Sequence, residues 1–238
     1  MHADRIEFIS EYCDRWCERC AFTTRCSAYA VHAALGMCEG DFQAALELAV
    51  GAATVPGEAE RRTARGLLAD YDPTEQELAA VDRELEERDE RIDESPLTTD
   101  TLVFATLAHQ CLQELRTSLE DHDDRNVRQA LEIASWDSHL IGAKVHRALD
   151  GQDEAQHGAR FEEHPIQNDW NGSAKVAPIS IDRSIPAWNT IAATTAHAGA
   201  ALIAQRLQAL RVDVDRTFPN ARKFVRPGFD DGGQSNPR

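Results

Sequence analysis

The chain has 238 residues, of which 42% are hydrophobic and 6% aromatic, and a net charge of −16 at pH 7. The length supports one large domain or two small ones with ample core. The acidic surface repels phosphate backbones and anionic lipid, which argues against nucleic-acid binding. Half of the charge excess is local: residues 72–94 hold eleven acids and three arginines, a net of −8.

The N-terminus, Met1-His2-Ala3-Asp4-Arg5, lacks the basic region and apolar run of a secretory leader. No run of about 18 apolar residues is present, so no membrane span is expected. The six cysteines are expected to be reduced thiols or metal ligands, and the chain to be cytoplasmic.

In chain order, residues 4–20 read as a helix, with Ile6, Ile9 and the cysteines on related faces. A second helix starts near Ser27, Gly36 and Gly40 bound a break, and Asp41 caps a third helix through Val50. Residues 51–57 form a loop and 58–70 a short helix. Thr74 and Glu77 form a capping box that opens an acidic helix over 75–93, with a narrow stripe of Leu78, Val81, Leu85 and Ile92. Apolar helices follow over 99–120 and 125–149, the latter stopped by Gly151. Ser173 caps a last long helix to about Val214, with Pro186 as a kink or restart. An arm with Arg222, Lys223, Phe224, Arg226 and Phe229 leads to a disordered tail over 230–238.

No alternating strand pattern occurs. The expected class is all-α: an antiparallel helical bundle with an N-terminal four-cysteine, metal-binding helical segment. The expected organisation is 1–57 for the N-terminal helices with the metal site, 58–98 for the acidic segment, and 99–229 for the bundle core and arm.

The chemistry concentrates at Cys13-x3-Cys17-x2-Cys20-x5-Cys26. On a helix, the first three cysteines would fall at i, i+4 and i+7, on one face, with Cys26 folding back as a fourth ligand. Four thiolates suit a 4Fe-4S cluster or zinc. Zinc modules usually pair two knuckles across a longer loop, so the compressed spacing favours the cluster.

The segment Cys17-Glu18-Arg19-Cys20-Ala21-Phe22-Thr23-Thr24-Arg25-Cys26 resembles the C-x2-C-x5-C end of the 4Fe-4S loop in endonuclease III-type DNA glycosylases. That resemblance covers about ten residues and departs at Cys13, since those glycosylases place six residues before the second ligand and this chain places three. It implies the cofactor rather than DNA chemistry. Cys13-x3-Cys17-x2-Cys20 is also similar to the radical-SAM motif, but the first strand of that family's barrel is missing and a fourth cysteine is present. The opening Tyr12-Cys13-Asp14-Arg15-Trp16-Cys17-Glu18-Arg19-Cys20 is similar to uncharacterised bacterial helical proteins. His32 and Cys38 are expected to pack on the second helix rather than to ligate.

A second candidate lies in the 125–149 helix. Glu132, His139 and His146 repeat every seven residues and share one stripe, with Trp136 and Ala143. Candidate partners are Asp182, among Ile179, Ile181 and Ile185, together with His109, Glu114 and Glu47. Glu132, His139 and Asp182 are expected to approach one another, Arg183 being an alternative partner for Glu132. The Glu-x-x-His pairs of ferritin-like di-metal bundles are absent, so a half-exposed polar face is the competing reading. Asn171-Gly172-Ser173-Ala174-Lys175 reads as an ordinary helix cap.

The functional expectation is a helical iron–sulfur protein with a redox or electron-transfer role and a protein redox partner, the cluster either acting alone or coupled to a bundle active site. The alternative is a non-catalytic interaction protein with structural zinc, docking through the acidic helix or C-terminal arm.

Overall fold

The structure, a computed structural model, describes residues 5–6, 8–51, 73–119, 124–157 and 164–230. The helix expected over 58–70 and, of the tail expected over 230–238, residues 231–238 lie outside these residues, whereas Asp230 is held by Arg226. The described residues contain seven α-helices and no strand. None of these helices is long and apolar enough to cross a membrane. The chain divides into two compact units, residues 1–86 with 226–238, and residues 87–225.

In the first unit, the helix expected over 4–20 is replaced by irregular chain carrying a 3₁₀ turn, Cys17–Arg19, followed by a second, Thr23–Arg25. Asp14 is one cause: its carboxylate accepts the Trp16 N–H at 3.1 Å, offering the backbone a turn in place of a helical bond. Phe8 and Arg15 adopt left-handed φ values of 54°, which interrupt any helix. Helix α1 (Ser27–Met37) follows, and Gly40, at φ 88°, turns the chain into α2 (Phe42–Val50). Asp41 caps α2 as the sequence indicates, accepting from Ala44 N at 3.1 Å. Ile6, Ile9, Tyr12 and Trp16 are buried, and the Ile6 N–H donates to Arg25 O at 3.1 Å.

Residues 226–230 belong to this unit rather than to the core of the second. Phe229 packs edge-on against Phe22 at 4.7 Å and Tyr12 at 6.3 Å between ring centroids. Gly228 lets this happen: it sits at φ 82°, and a Cβ there would come within 2.4 Å of Ile6 Cδ1. Gly228→Ala should therefore loosen the arm, at a cost of about 1–3 kcal/mol. Hydrogen exchange at the Ile6 N–H should rise about tenfold or more, and unchanged exchange would contradict this role.

Helix α3 (Glu75–Asp93) opens with the expected box. Thr74 N donates to Glu77 Oε2 at 2.8 Å, and Glu77 N donates to Thr74 Oγ1 at 3.2 Å. Leu78, Val81 and Leu85 are about half exposed.

The second unit holds α4 (Pro96–Leu119), α5 (Arg125–His157), α6 (Asp169–Thr195) and α7 (Ala198–Thr217). Helix α4 packs on α5 and α7, α5 on α6, and α6 on α7. Their shared core includes Phe104, Ile141, Val145, Ile181, Trp188, Ile191, Ile203, Leu207 and Phe218. Ala130, Ala134, Ala148, Ala174 and Ala177 are also buried there, and such small residues allow close helix approach. The last turns of α3 are tied to α5 by ion pairs of Arg88 with Asp150 and Arg91 with Asp153.

Two helix boundaries differ from the sequence reading. Gly151 does not stop α5, which continues to His157. That glycine instead makes room: a Cβ there would lie 2.7 Å from Trp170 Cβ at the start of α6. Helix α6 starts at Asp169, where the Asn168 side chain accepts from Asn171 N at 2.9 Å, so Ser173 is a buried interior residue and not the cap. Pro178 and Pro186 both lie within α6, and the break falls at Ala196, which is left-handed at φ 53°. A proline removes only one N–H, and a helix packed on both sides tolerates that loss.

Candidate metal centre

Cys13, Cys17, Cys20 and Cys26 all lie on the turns that open the first unit, and all four are partly exposed. They neighbour one another electrically: burial, then the charges of Cys13, Cys20 and Cys26, push the Cys17 thiol up. Burial pushes the Cys20 thiol up as well, with Asp14 and Cys26 adding to it and the Phe22 N–H opposing it. Among the described residues, no three His, Cys, Asp or Glu side chains already stand at ligand spacing. The arrangement differs from the helical-face geometry expected from the spacing, because the cysteines are presented by turns.

Two sulfurs already accept backbone hydrogen bonds. Phe22 N–H donates to Cys20 Sγ at 3.4 Å, and Tyr29 N–H donates to Cys26 Sγ at 3.3 Å, which also caps α1. Cys13 Sγ donates to Ser10 O at 3.8 Å. The turn Cys17–Arg19 is closed by Cys20 N–H donating to Cys17 O at 3.2 Å. Trp16 and Tyr12 are buried beside these cysteines in sequence, and the Arg19 guanidinium lies 4.0 Å from the Trp16 ring centroid.

The residues present fit a cationic centre. Soft thiolates suit iron–sulfur clusters and zinc, and N–H donors to sulfur stabilise the ionised form. Thiols brought together as thiolates would repel one another, and a cation would relieve that repulsion. His32 is exposed on α1, and Cys38 is partly buried at its C-terminal end.

A pH dependence follows. A raised thiol pKa means the proton is held at neutral pH, so metal loading must displace it. Loading should release protons, and affinity should fall as pH falls, roughly tenfold per pH unit for each proton displaced. A chelator competition at two pH values checks this; equal affinities would contradict it.

For the second constellation, no metal-holding group of three His, Cys, Asp or Glu stands among the described residues. Asp182 is mostly exposed and binds Arg211 of α7 at 2.8 Å. His139 lines a groove of about 470 Å³ between α4 and α5, with His109, Gln113, Arg116 and Ser135. Its Nδ1 lies 3.1 Å from both Ser138 Oγ and Ser135 O. Arg183, offered as a partner for Glu132, reaches a different carboxylate on α5. It makes a two-point contact with Asp137, at 3.1 and 2.5 Å, and the Asp137 side chain is fully buried. Helical spacing placed Glu132 and His139 on α5 and Asp182 on α6, but it could not say which neighbour each face meets.

Sequence reasoning also missed a contact between Cys111, on α4, and His197, which precedes α7. The two are 86 residues apart, and no short-range signal connects them.

No family model matches the chain, and no curated protein or solved structure matches it.

Proposed function

We propose that the chain is an iron–sulfur protein of the cytoplasm, with Cys13, Cys17, Cys20 and Cys26 holding a 4Fe-4S cluster in the first unit. Its role is one-electron transfer with a protein redox partner. The observations that support this reading are the presentation of all four cysteines on the turns that open the first unit and the backbone N–H donors to the Cys20 and Cys26 sulfurs.

The bound cluster supplies one-electron redox chemistry. The chain's own residues set its surroundings. The Phe22 and Tyr29 N–H groups donate to ligand sulfurs, an interaction that tunes cluster potential. Phe229, packed on Phe22 and Tyr12, braces the loop that carries Cys20 and Cys26. The second unit, whose helices are consecutive and joined by short links at 94–95 and 196–197, is read as an antiparallel bundle that serves as the body of the protein. The net charge of −16 sets this reading apart from a nucleic-acid enzyme.

Zinc on the same four cysteines is the second reading. The tight Cys17–Cys20 turn favours it, because zinc knuckles present a C-x2-C pair on such a turn. There the metal would only staple the first unit, and the protein would be a non-catalytic interaction module. An anaerobic redox titration separates the two: a reversible one-electron step supports electron transfer, and a redox-silent metal supports the staple.

A further inference from the structure

The second unit contains a group of side chains that the metal centre does not use. Cys111 Sγ lies 3.5 Å from His197 Nδ1, and His197 Nε2 lies 3.0 Å from Glu114 Oε2. This is a thiol, an imidazole and a carboxylate in line, each imidazole nitrogen facing one partner. The carboxylate fixes the tautomer: Nε2–H donates to Glu114, which leaves Nδ1 as the acceptor for the thiol proton. A nucleophile beside a base, with the base oriented by a third group, is the arrangement of covalent catalysis.

Helix α7 completes the setting. His197 is its cap residue, and Gly199 in its first turn abuts the sulfur: a Cβ at Gly199 would lie 3.8 Å from Cys111 Sγ. The same Cβ would come within 3.0 Å of the imidazole, so glycine is what lets the ring sit between thiol and carboxylate. The leading N–H groups of a helix lack intrahelical acceptors and favour developing negative charge.

We propose that Cys111, His197 and Glu114 form an acyl-accepting site that takes a small activated acyl group, such as that of an aryl ester or thioester, onto Cys111 Sγ. Sγ attacks the carbonyl carbon while its proton passes to His197 Nδ1. The bond from that carbon to the leaving oxygen or sulfur breaks, and the leaving group takes the proton from His197. The acyl group remains as a thioester, with no oxidant or reductant required.

Burial restricts the substrate. Cys111 is only 4% exposed, whereas the His197 and Glu114 side chains are 28% and 66% exposed. Access is therefore from the imidazole side and limited to small groups. Burial, then the Glu114 charge, push the Cys111 thiol up to about 11. The sulfur thus keeps its proton at neutral pH, and attack depends on His197 removing it as the bond forms.

The test is incubation of the whole protein with p-nitrophenyl acetate, with acetylation read at each cysteine by peptide mass spectrometry. Cys38, partly buried and outside this group, reports background reactivity. Cys111 should acetylate faster than Cys38 in the native protein. His197→Ala should slow Cys111 by about a hundredfold or more and leave Cys38 unchanged. Glu114→Gln, at an exposed position that does not threaten folding, should slow it about tenfold. A Cys111 that stays unmodified while Cys38 reacts, or that reacts equally in wild type and Glu114→Gln, would overturn the proposal.

Discussion

Cys17→Ser should abolish metal retention, lowering affinity by at least about a hundredfold, while Cys38→Ser should leave it unchanged. Cys17 is the second cysteine of the cluster and opens the Cys17–Arg19 turn, so its loss removes a thiol from the middle of the group. Serine is nearly isosteric but a poor soft-metal ligand, so the change tests ligation rather than packing. Even partners that only orient a ligand are worth about 10–100-fold in metal affinity, and a ligand is worth more. Metal content after gel filtration, and hydrogen exchange over residues 13–26, should change together, because metal binding and local folding are coupled. Full metal retention in Cys17→Ser would contradict the assignment.

Asp137→Ala should destabilise the second unit by about 3–5 kcal/mol. Asp137 is 0% exposed in its side chain, and its two oxygens meet the Arg183 guanidinium across α5 and α6. Removing the carboxylate leaves the guanidinium, 27% exposed, without that counter-charge in a largely apolar contact. The comparison is Asp182→Ala. That carboxylate is 57% exposed and pairs with Arg211, so its loss should cost about 1 kcal/mol or less. Urea unfolding of both variants measures the difference, and equal costs would remove the buried pair from the account.

Much of the helical architecture was legible because its signals are local. Asp41 and the Thr74–Glu77 box each bond within three residues, so their caps follow from adjacent side chains. The apolar spacing of α5 likewise marks its buried face, through Val127, Ala134, Ile141, Val145 and Ala148, whereas in α4 Leu102 is exposed and the buried face runs through Phe104, Ala108, Cys111 and Leu115. The failures share a cause: the deciding partner is distant. Gly151 reads as a stop until Trp170 is seen against it. Asp182 reads as buried because isoleucines surround it in sequence, yet its own face meets Arg211 and solvent. The N-terminal cysteines fall at helical spacing, but Asp14 and left-handed Arg15 turn the chain before a helix can form. For the four cysteines, the spacing singled out the residues, whereas their presentation on turns was not readable from it. Cys111 and His197 lay beyond any such reading, since they meet only through the packing of α4 against α7.

The central claim, a 4Fe-4S centre on Cys13, Cys17, Cys20 and Cys26, is tested most directly by metal and acid-labile sulfide analysis of anaerobically purified protein. The account predicts brown protein with iron and sulfide in similar amounts, and bleaching in Cys17→Ala or Cys20→Ala. Colourless protein carrying a single zinc per chain, when prepared without oxygen, would contradict it.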